Sequence, residues 1–263
     1  EDRRNWYKFK AINCYSSEDL VNWKFEKEII TKNSHPILND DSRFIERPKI
    51  IYNKITDKYI IWLHWENSDY STAEAAVFYC DQVNGDFIFH KAFRPFNNMS
   101  RDCNLFVDDD GTAFFISAAN HNADLIIYKL TQDYLDVAEQ VITLWPGMYR
   151  EAPVLFKVGK VYYLITSGAT GWDPNQGKFA YASSIAGPWS NLFNLGDGIT
   201  FDSQPANIIQ VIGSVDTTII YCGDRWQDPT LPESKYIWLP LEIESTALSL
   251  NYYDGWKIDL IKG

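Results

Sequence analysis

The sequence lacks most of the signals that assign a chain quickly. Helical periodicity is nearly absent along its 263 residues, which argues against a helical bundle or an alternating α/β fold. No apolar run approaches the length of a membrane-crossing helix. The four cysteines, Cys14, Cys80, Cys103 and Cys222, are scattered without CxxC or metal-ligand spacing. Buried free thiols are therefore expected, not a disulfide framework. The four histidines, His35, His64, His90 and His121, show neither HExxH nor HxH spacing, which argues against zinc. His64 ends an apolar strand pattern and reads as a satisfied core residue in preference to a pocket donor. A GxSxG elbow for a nucleophilic serine is missing too. Positive charge is scarce: 24 Lys and Arg stand against 35 Asp and Glu, a net charge of −11. That balance disfavours nucleic acid and anionic membrane surfaces as partners. No signal peptide is visible in the sequence, which opens on "EDRRNWYKF", so the compartment is not legible from this stretch.

What the sequence does have is aromatic residues and strands. Aromatics are 16% of the chain, with 10 Trp and 16 Tyr. They serve either as bulky packing between sheets or as flat platforms for the C–H faces of sugar rings. Four strand–turn–strand units recur: "PKIIYNKITDKYIIWLHW" (48–65), "CNLFVDDDGTAFFISA" (103–118), "APVLFKVGKVYYLITSG" (152–168) and "ANIIQVIGSVDTTIIYCG" (206–223). Each pairs two apolar strands across a polar turn. The acidic "DDDG" at 108–111 fits tight-turn chemistry better than a calcium loop. "NMS" at 98–100 matches a glycosylation sequon, which is a weak signal alone.

A third strand follows each unit and carries an aromatic marker, Tyr79, Tyr128, Tyr181 or Trp238. A fifth copy, "INCYSSEDLVNWKFE", opens the chain with Tyr15. The markers are 64, 49, 53 and 57 residues apart, the spacing of four-stranded blades. An all-β, five-bladed β-propeller is expected, with the first two strands of blade one missing from this chain. Residues 1–263 read as a single propeller domain, N-terminally incomplete.

Aligning the residues just before each first strand, "IERPKI", "SRDCNL", "YREAPV" and "DSQPAN", puts Glu46, Asp102, Glu151 and Gln204 in one register. First strands of a propeller start on one face around the axis, so these side chains are expected to converge. The plainer alternative has each acid paired with its neighbouring arginine, Arg47, Arg101 or Arg150, at a solvated strand end. Three acids in one register favour the convergent pocket, where crowding raises a carboxyl pKa toward that of a general acid. The loops between second and third strands open on the same face. They offer Trp65 and Tyr70; Asn120, His121 and Asn122; Thr170 and Trp172; and Asp224, Arg225 and Trp226. Stacking surfaces beside fixed polar groups suit a carbohydrate.

The combination of "CYSSEDLVNW", "ERPKIIYN", "SRDCNLFVDDDGTAFF", "REAPVLFK", "YYLITSGATGWDPN", "GPW", "TFDSQ" and "GDRW" resembles glycoside hydrolase family 43, most closely its exo-β-1,3-galactanase branch. The resemblance runs over nearly the whole chain and implies an inverting, exo-acting glycosidase on a five-bladed propeller. It implies Glu151 as general acid and Asp102 as the residue that tunes and orients it. Glu46 and Gln204 match pocket residues of that branch. The usual aspartate base of the first blade has no counterpart here, which leaves Glu46, a water held by Gln204 or an upstream residue as the base. Inversion requires acid and base roughly 6.5–9.5 Å apart. By the repeat spacing, Glu1 falls on the pocket rim.

The expected function is release of galactose from β-1,3-galactan, as in arabinogalactan side chains. The alternatives are an α-L-arabinofuranosidase or β-xylosidase of the same family, and a non-catalytic sugar-binding propeller. Substrate contacts are expected from Glu1, Tyr70, Asn120, Asn122, Thr170, Trp172, Asp224, Arg225 and Trp226. No cofactor or metal is implied, a calcium ion in the central channel is not indicated, and no separate carbohydrate-binding module is expected. The implied partner is an oligo- or polysaccharide, and the implied location is secreted or periplasmic.

Overall fold

A computed structural model of the protein describes residues 9–40, 42–228 and 230–263; Glu1 lies outside them. The chain divides into two compact units, Glu1–Leu144 and Trp145–Gly263. Both are all-β, built from up-and-down antiparallel sheets, the blade unit of propeller folds.

The first unit opens with a two-stranded sheet of β1 (Ala11–Ser16) and β2 (Lys24–Thr31). A four-stranded sheet follows: β3 (Arg43–Asn53), β4 (Lys58–Asn67), β5 (Glu74–Cys80) and β6 (Ile88–Phe93), paired in that order. The next comprises β7 (Cys103–Val107), β8 (Ala113–Ala119), β9 (Asp124–Leu130) and β10 (Val137–Leu144). In the second unit, one sheet has β11 (Arg150–Val158), β12 (Val161–Gly168), β13 (Gly177–Ala182) and β14 (Phe193–Leu195). The other has β15 (Gln204–Ile212), β16 (Thr217–Arg225), β17 (Lys235–Glu244) and β18 (Ala247–Leu250). The markers Tyr79, Tyr128, Tyr181 and Trp238 all sit in third strands, as the repeat predicts, and Tyr15 lies in β1, paired with Phe25.

Turn chemistry explains the meander. Gly159 (φ 57°) opens the two-residue turn between the paired Val158 and Val161, a left-handed position that glycine takes without steric cost. In "DDDG", Gly111 (φ 83°) donates its N–H to the Asp108 carbonyl, so this segment is a turn as expected.

Most of the aromatic wealth is packing. One core joins β1–β2 to the β3 sheet through Ile30, Leu38, Leu63, Trp65 and Phe78. A second joins the β3 and β7 sheets through Ile60, Trp62, Phe115 and Tyr128. The second unit has its own core of Phe156, Tyr163, Phe179, Tyr221 and Leu239. Trp65 therefore corrects the sequence reading. It lies inside β4, 3% exposed, against His35 and Phe89, and is no rim platform. All four cysteines are free; Cys103 and Cys222 are buried, whereas Cys14 and Cys80 are half-buried.

Trp62 shows what a central aromatic contributes. Fully buried, it packs on Phe115 and donates its indole N–H to the Tyr134 carbonyl at 2.9 Å. Trp62→Ala would leave a cavity and a carbonyl without its donor. A loss of about 3–5 kcal/mol is expected, read as a lower urea midpoint.

Candidate active site

Two bulges aim the acidic residues. In β3, Glu46 faces His64 and pairing resumes at Lys49 opposite Trp62; in β11, Glu151 faces Ser167 and resumes at Val154 opposite Ile165. Each bulge falls on the last two residues of a Glu-x-Pro triplet, Glu46-Arg47-Pro48 and Glu151-Ala152-Pro153. Proline cannot donate to the ladder, so strands tolerate it at bulges. The middle residue is left-handed in both, Arg47 at φ 52° and Ala152 at φ 48°, a conformation with a steric cost for side-chain-bearing residues. Bulges of this kind re-aim side chains beside functional sites. Glu46, Glu151 and Gln204 thus lie within their strands, not just before them as the sequence register placed them. Asp102 does precede β7, its carbonyl accepting from Ala118 N–H.

In the second unit the cluster centres on Gln204. Its amide nitrogen donates to Glu151 Oε1 at 3.0 Å and to Ser167 Oγ at 3.0 Å, and its carbonyl accepts from Trp226 Nε1 at 2.9 Å. An indole N–H can only donate, so the orientation of the amide is fixed. Glu151 and Gln204 are each 8% exposed. The bond to Oε1 marks that oxygen as the acceptor, so a proton carried by Glu151 belongs on Oε2. Arg150 is not a simple escort of Glu151. Its guanidinium donates to Thr166 Oγ1 at 3.0 Å and to the Thr166 carbonyl at 2.8 Å. Burial brings its pKa down to about 10, and the Glu151 carboxylate works against that fall. It stays charged at neutral pH, a fixed positive group beside the acid.

Trp226 meets Trp172 edge-on, ring centroids 5.1 Å apart. A recess opens beside them, lined also by Asp202, Gln204 and Asp224. The loop carrying Trp172 is pinned by Asn175, whose side chain bonds both backbone groups of Gly168 and the Thr170 hydroxyl. Thr170, expected to touch substrate, also donates to the Asp173 carbonyl and so closes this loop. Arg225 donates to the Phe201 carbonyl at 2.8 Å. It braces the wall next to Asp224.

In the first unit the centre is His64, 1% exposed. Its Nδ1 lies 2.9 Å from Glu46 Oε2 and its Nε2 lies 3.0 Å from Glu66 Oε2. Burial would lower its pKa, but the two carboxylates raise it to about 9. Both nitrogens face acceptors, so the ring is an imidazolium at neutral pH. His64 is thus buried and paired, the reading that its place in the strand pattern favours. Tyr70 donates its hydroxyl to Glu46 Oε1 at 2.8 Å. Arg47 pairs with Asp102 of the next sheet at 3.1 Å, not with its chain neighbour Glu46 as its partner in that contact. Burial acts to raise the Asp102 pKa, and the Arg47 guanidinium, together with His64 and Lys49, more than offsets it, leaving the carboxyl below its ordinary value. Arg101 donates to the Tyr70 carbonyl and lies over the Tyr70 ring. The picture of arginines simply capping adjacent acids is thus replaced by contacts that cross between strands and sheets.

Asn120 and Asn122 sit in a left-handed turn with His121, at φ 49°, 66° and 55°, and Asn120 bonds Asp124. Sequence reasoning missed Glu66, Ser167 and Asn175. Among the described residues no group of three or more His, Cys, Asp or Glu side chains is arranged to hold a metal ion.

Comparison with known proteins places these features in context. Residues 4–221 match the sequence model of the family described as Glycosyl hydrolases family 43. An exo-β-1,3-galactanase from Clostridium thermocellum shares 46% identity and superposes with a TM-score of 0.95, over 100% of this chain and 59% of that one. An exo-β-1,3-galactanase from Phanerochaete chrysosporium, a Glu-to-Gln variant with β-1,3-galactotriose, gives 34% identity and a TM-score of 0.92 over 100% of this chain and 60% of its own. A curated β-xylosidase of Bacillus subtilis (strain 168) is 23% identical across 94% of this chain and 50% of its length. The chain thus spans about half of that relative and about three fifths of the two galactanases.

The Gln204–Glu151 contact generates a test. Gln204→Glu would set two carboxyl groups about 3 Å apart and raise the pKa of one of them. A raised native pKa removes stability as pH climbs past the unfolded value of about 4.3. Urea unfolding is expected to show a larger loss at pH 8 than at pH 4.

Proposed function

This chain belongs to glycosyl hydrolases family 43, and from that premise we propose that it is an inverting, exo-acting hydrolase releasing galactose from β-1,3-linked galactan. The observation that carries the substrate is the likeness to an exo-β-1,3-galactanase along the whole chain, at twice the identity of the xylosidase relative. A second galactanase, in a Glu-to-Gln form, holds β-1,3-galactotriose. The xylosidase likeness supports β-xylosidase as the second reading.

Glu151 is the proton donor in this reading. It gives the Oε2 proton to the glycosidic oxygen as the bond to the anomeric carbon breaks, and water adds on the opposite face, passing one proton to the general base, Glu46 or a residue upstream, to leave the new hydroxyl. The carboxylate left behind is stabilised by the Gln204 N–H on Oε1. Arg150 adds positive charge nearby. Trp172 and Trp226 offer ring faces to sugar, and Asp224 offers oxygens to its hydroxyls. Glu46 and Gln204 bind the terminal sugar and the water. Both amide hydrogens of Gln204 are committed to Glu151 and Ser167, so toward water it can act only as an acceptor, through its carbonyl oxygen. Asp102 keeps the tuning role that the family resemblance implies. The chemistry runs on carboxyl groups and water and calls on no cofactor. The five-bladed ring, with β1–β2 as the outer strands of its first blade, belongs to the same reading, as does a secreted or periplasmic location beside the polysaccharide.

Glu151→Gln keeps the acceptor oxygen and removes the proton. Galactose release from β-1,3-galactan is expected to fall about 10²–10⁴-fold, measured by product chromatography, while calorimetry still shows oligosaccharide binding. Unchanged turnover would contradict the assignment. Sugar binding by the unaltered chain without any product would instead identify a lectin-like protein, and release of xylose in place of galactose would favour the second reading.

A further inference from the structure

The first unit contains a buried charged pair that the proposed chemistry leaves without a part. Glu66 is 0% exposed. It accepts backbone N–H bonds from Asn67, Thr72 and Ala73 at 2.8–3.1 Å, as well as the contact from His64. These bonds gather residues 67–73, the segment that presents Tyr70 at φ 55°. His64 then reaches from Glu66 to Glu46, and Tyr70 returns to the other oxygen of the Glu46 carboxylate. The four side chains form a closed loop: Glu66 holds the Tyr70 segment and the imidazole, and these two together hold Glu46. Glu46 is the outward member, its side chain 28% exposed, whereas that of His64 is 2% exposed.

We propose that His64 and Glu66 are positioning residues that clamp the Glu46 carboxylate and the Tyr70 hydroxyl oxygen into one preorganised pair of acceptors for the hydroxyls of a terminal galactose. The inference rests on the galactosidase reading and adds two residues to it. A Glu46 side chain free to rotate would lose rotamer freedom on each binding event, which weakens affinity. A charge-assisted contact on Oε2 and the phenol on Oε1 remove that freedom beforehand. Burying an imidazolium is costly unless it is paired on both sides, and here both nitrogens face carboxylates. The groups facing His64 are Glu46 from β3, Glu66 from its own strand, Tyr70 from the loop after β4, and Asp102 ahead of β7, which it also influences electrostatically. Three of the four are carboxylates when ionised, and together they hold the proton on the ring through neutral pH. As pH rises through about 9 the imidazole loses its proton. A neutral ring can donate to only one of its two carboxylates, so the clamp opens.

Two measurements test this. The first is NMR titration of the His64 ring nitrogens in the unaltered protein, with H64Q assigning the signals. Both nitrogens should remain protonated past pH 8, and E46Q should lower the pKa. The second is galactose affinity by calorimetry alongside KM and kcat on β-1,3-galacto-oligosaccharides between pH 6 and 10. The unaltered protein should lose affinity above pH 9. H64Q should bind about 10-fold more weakly at pH 7, chiefly in KM, with that pH dependence flattened. If H64Q fails to fold, the pH series of the unaltered protein and its imidazole titration carry the test. A His64 pKa near the ordinary 6.5, or an H64Q with unaltered affinity and pH dependence, overturns the proposal. If the unaltered protein neither binds nor releases galactose, the galactosidase reading is what fails. The imidazole titration then decides the clamp alone.

Discussion

One primary amide organises the second unit's polar cluster. Gln204 donates to Glu151 and Ser167 and accepts from Trp226, so a carboxyl from one sheet, a hydroxyl from the same sheet and an indole from the next meet at one amide. The constraint is strict because the side chains are nearly buried: a carboxyl with 8% exposure must find its partners in the protein. With Oε1 bound to the amide, the Glu151 proton has a defined place. That definition is what a proton donor requires, since misplacement by an ångström has a large effect on rate.

The backbone delivers Glu151 to that place through a bulge, and the same device recurs at Glu46. Left-handed Arg47 and Ala152 are costly choices in a strand, and each stands between a glutamate and a proline. The proline denies the ladder a donor, the bulge absorbs the extra residue, and the acid turns toward its new partners. The sheets supply the rigidity. Their faces are packed with Trp62, Tyr128, Tyr163 and Tyr221, all almost fully buried, so the strand ends carrying the polar groups rest on cores that do not yield easily.

Much of this was legible in the sequence. The recurring strand pairs and the spacing of Tyr79, Tyr128, Tyr181 and Trp238 led directly to the four-stranded sheets, because turn residues and apolar runs are local signals. The shared register of Glu46, Asp102, Glu151 and Gln204 was also visible, whereas the bulges at the Glu-x-Pro triplets emerged only from the strand pairing. What the chain did not announce was partnership. That Arg47 would reach Asp102, and Arg150 would turn to Thr166, depends on contacts between strands far apart in sequence. Glu66 carries no local signal, and only its backbone bonds place it inside. Trp65 misled for the related reason that a tryptophan near a loop reads alike whether it caps a core or a pocket. Asn175 had a faint signal, an Asn closing a Gly-rich loop, where side-chain bonds to backbone are common.

The account centres on a buried acid that donates one proton while water attacks from the far side of the sugar. The most direct measurement is proton NMR of galactose in the first minutes of digesting a β-1,3-galacto-oligosaccharide. Inversion predicts α-galactose as the first product, with the β anomer growing in afterwards by mutarotation. β-Galactose appearing first would contradict the account.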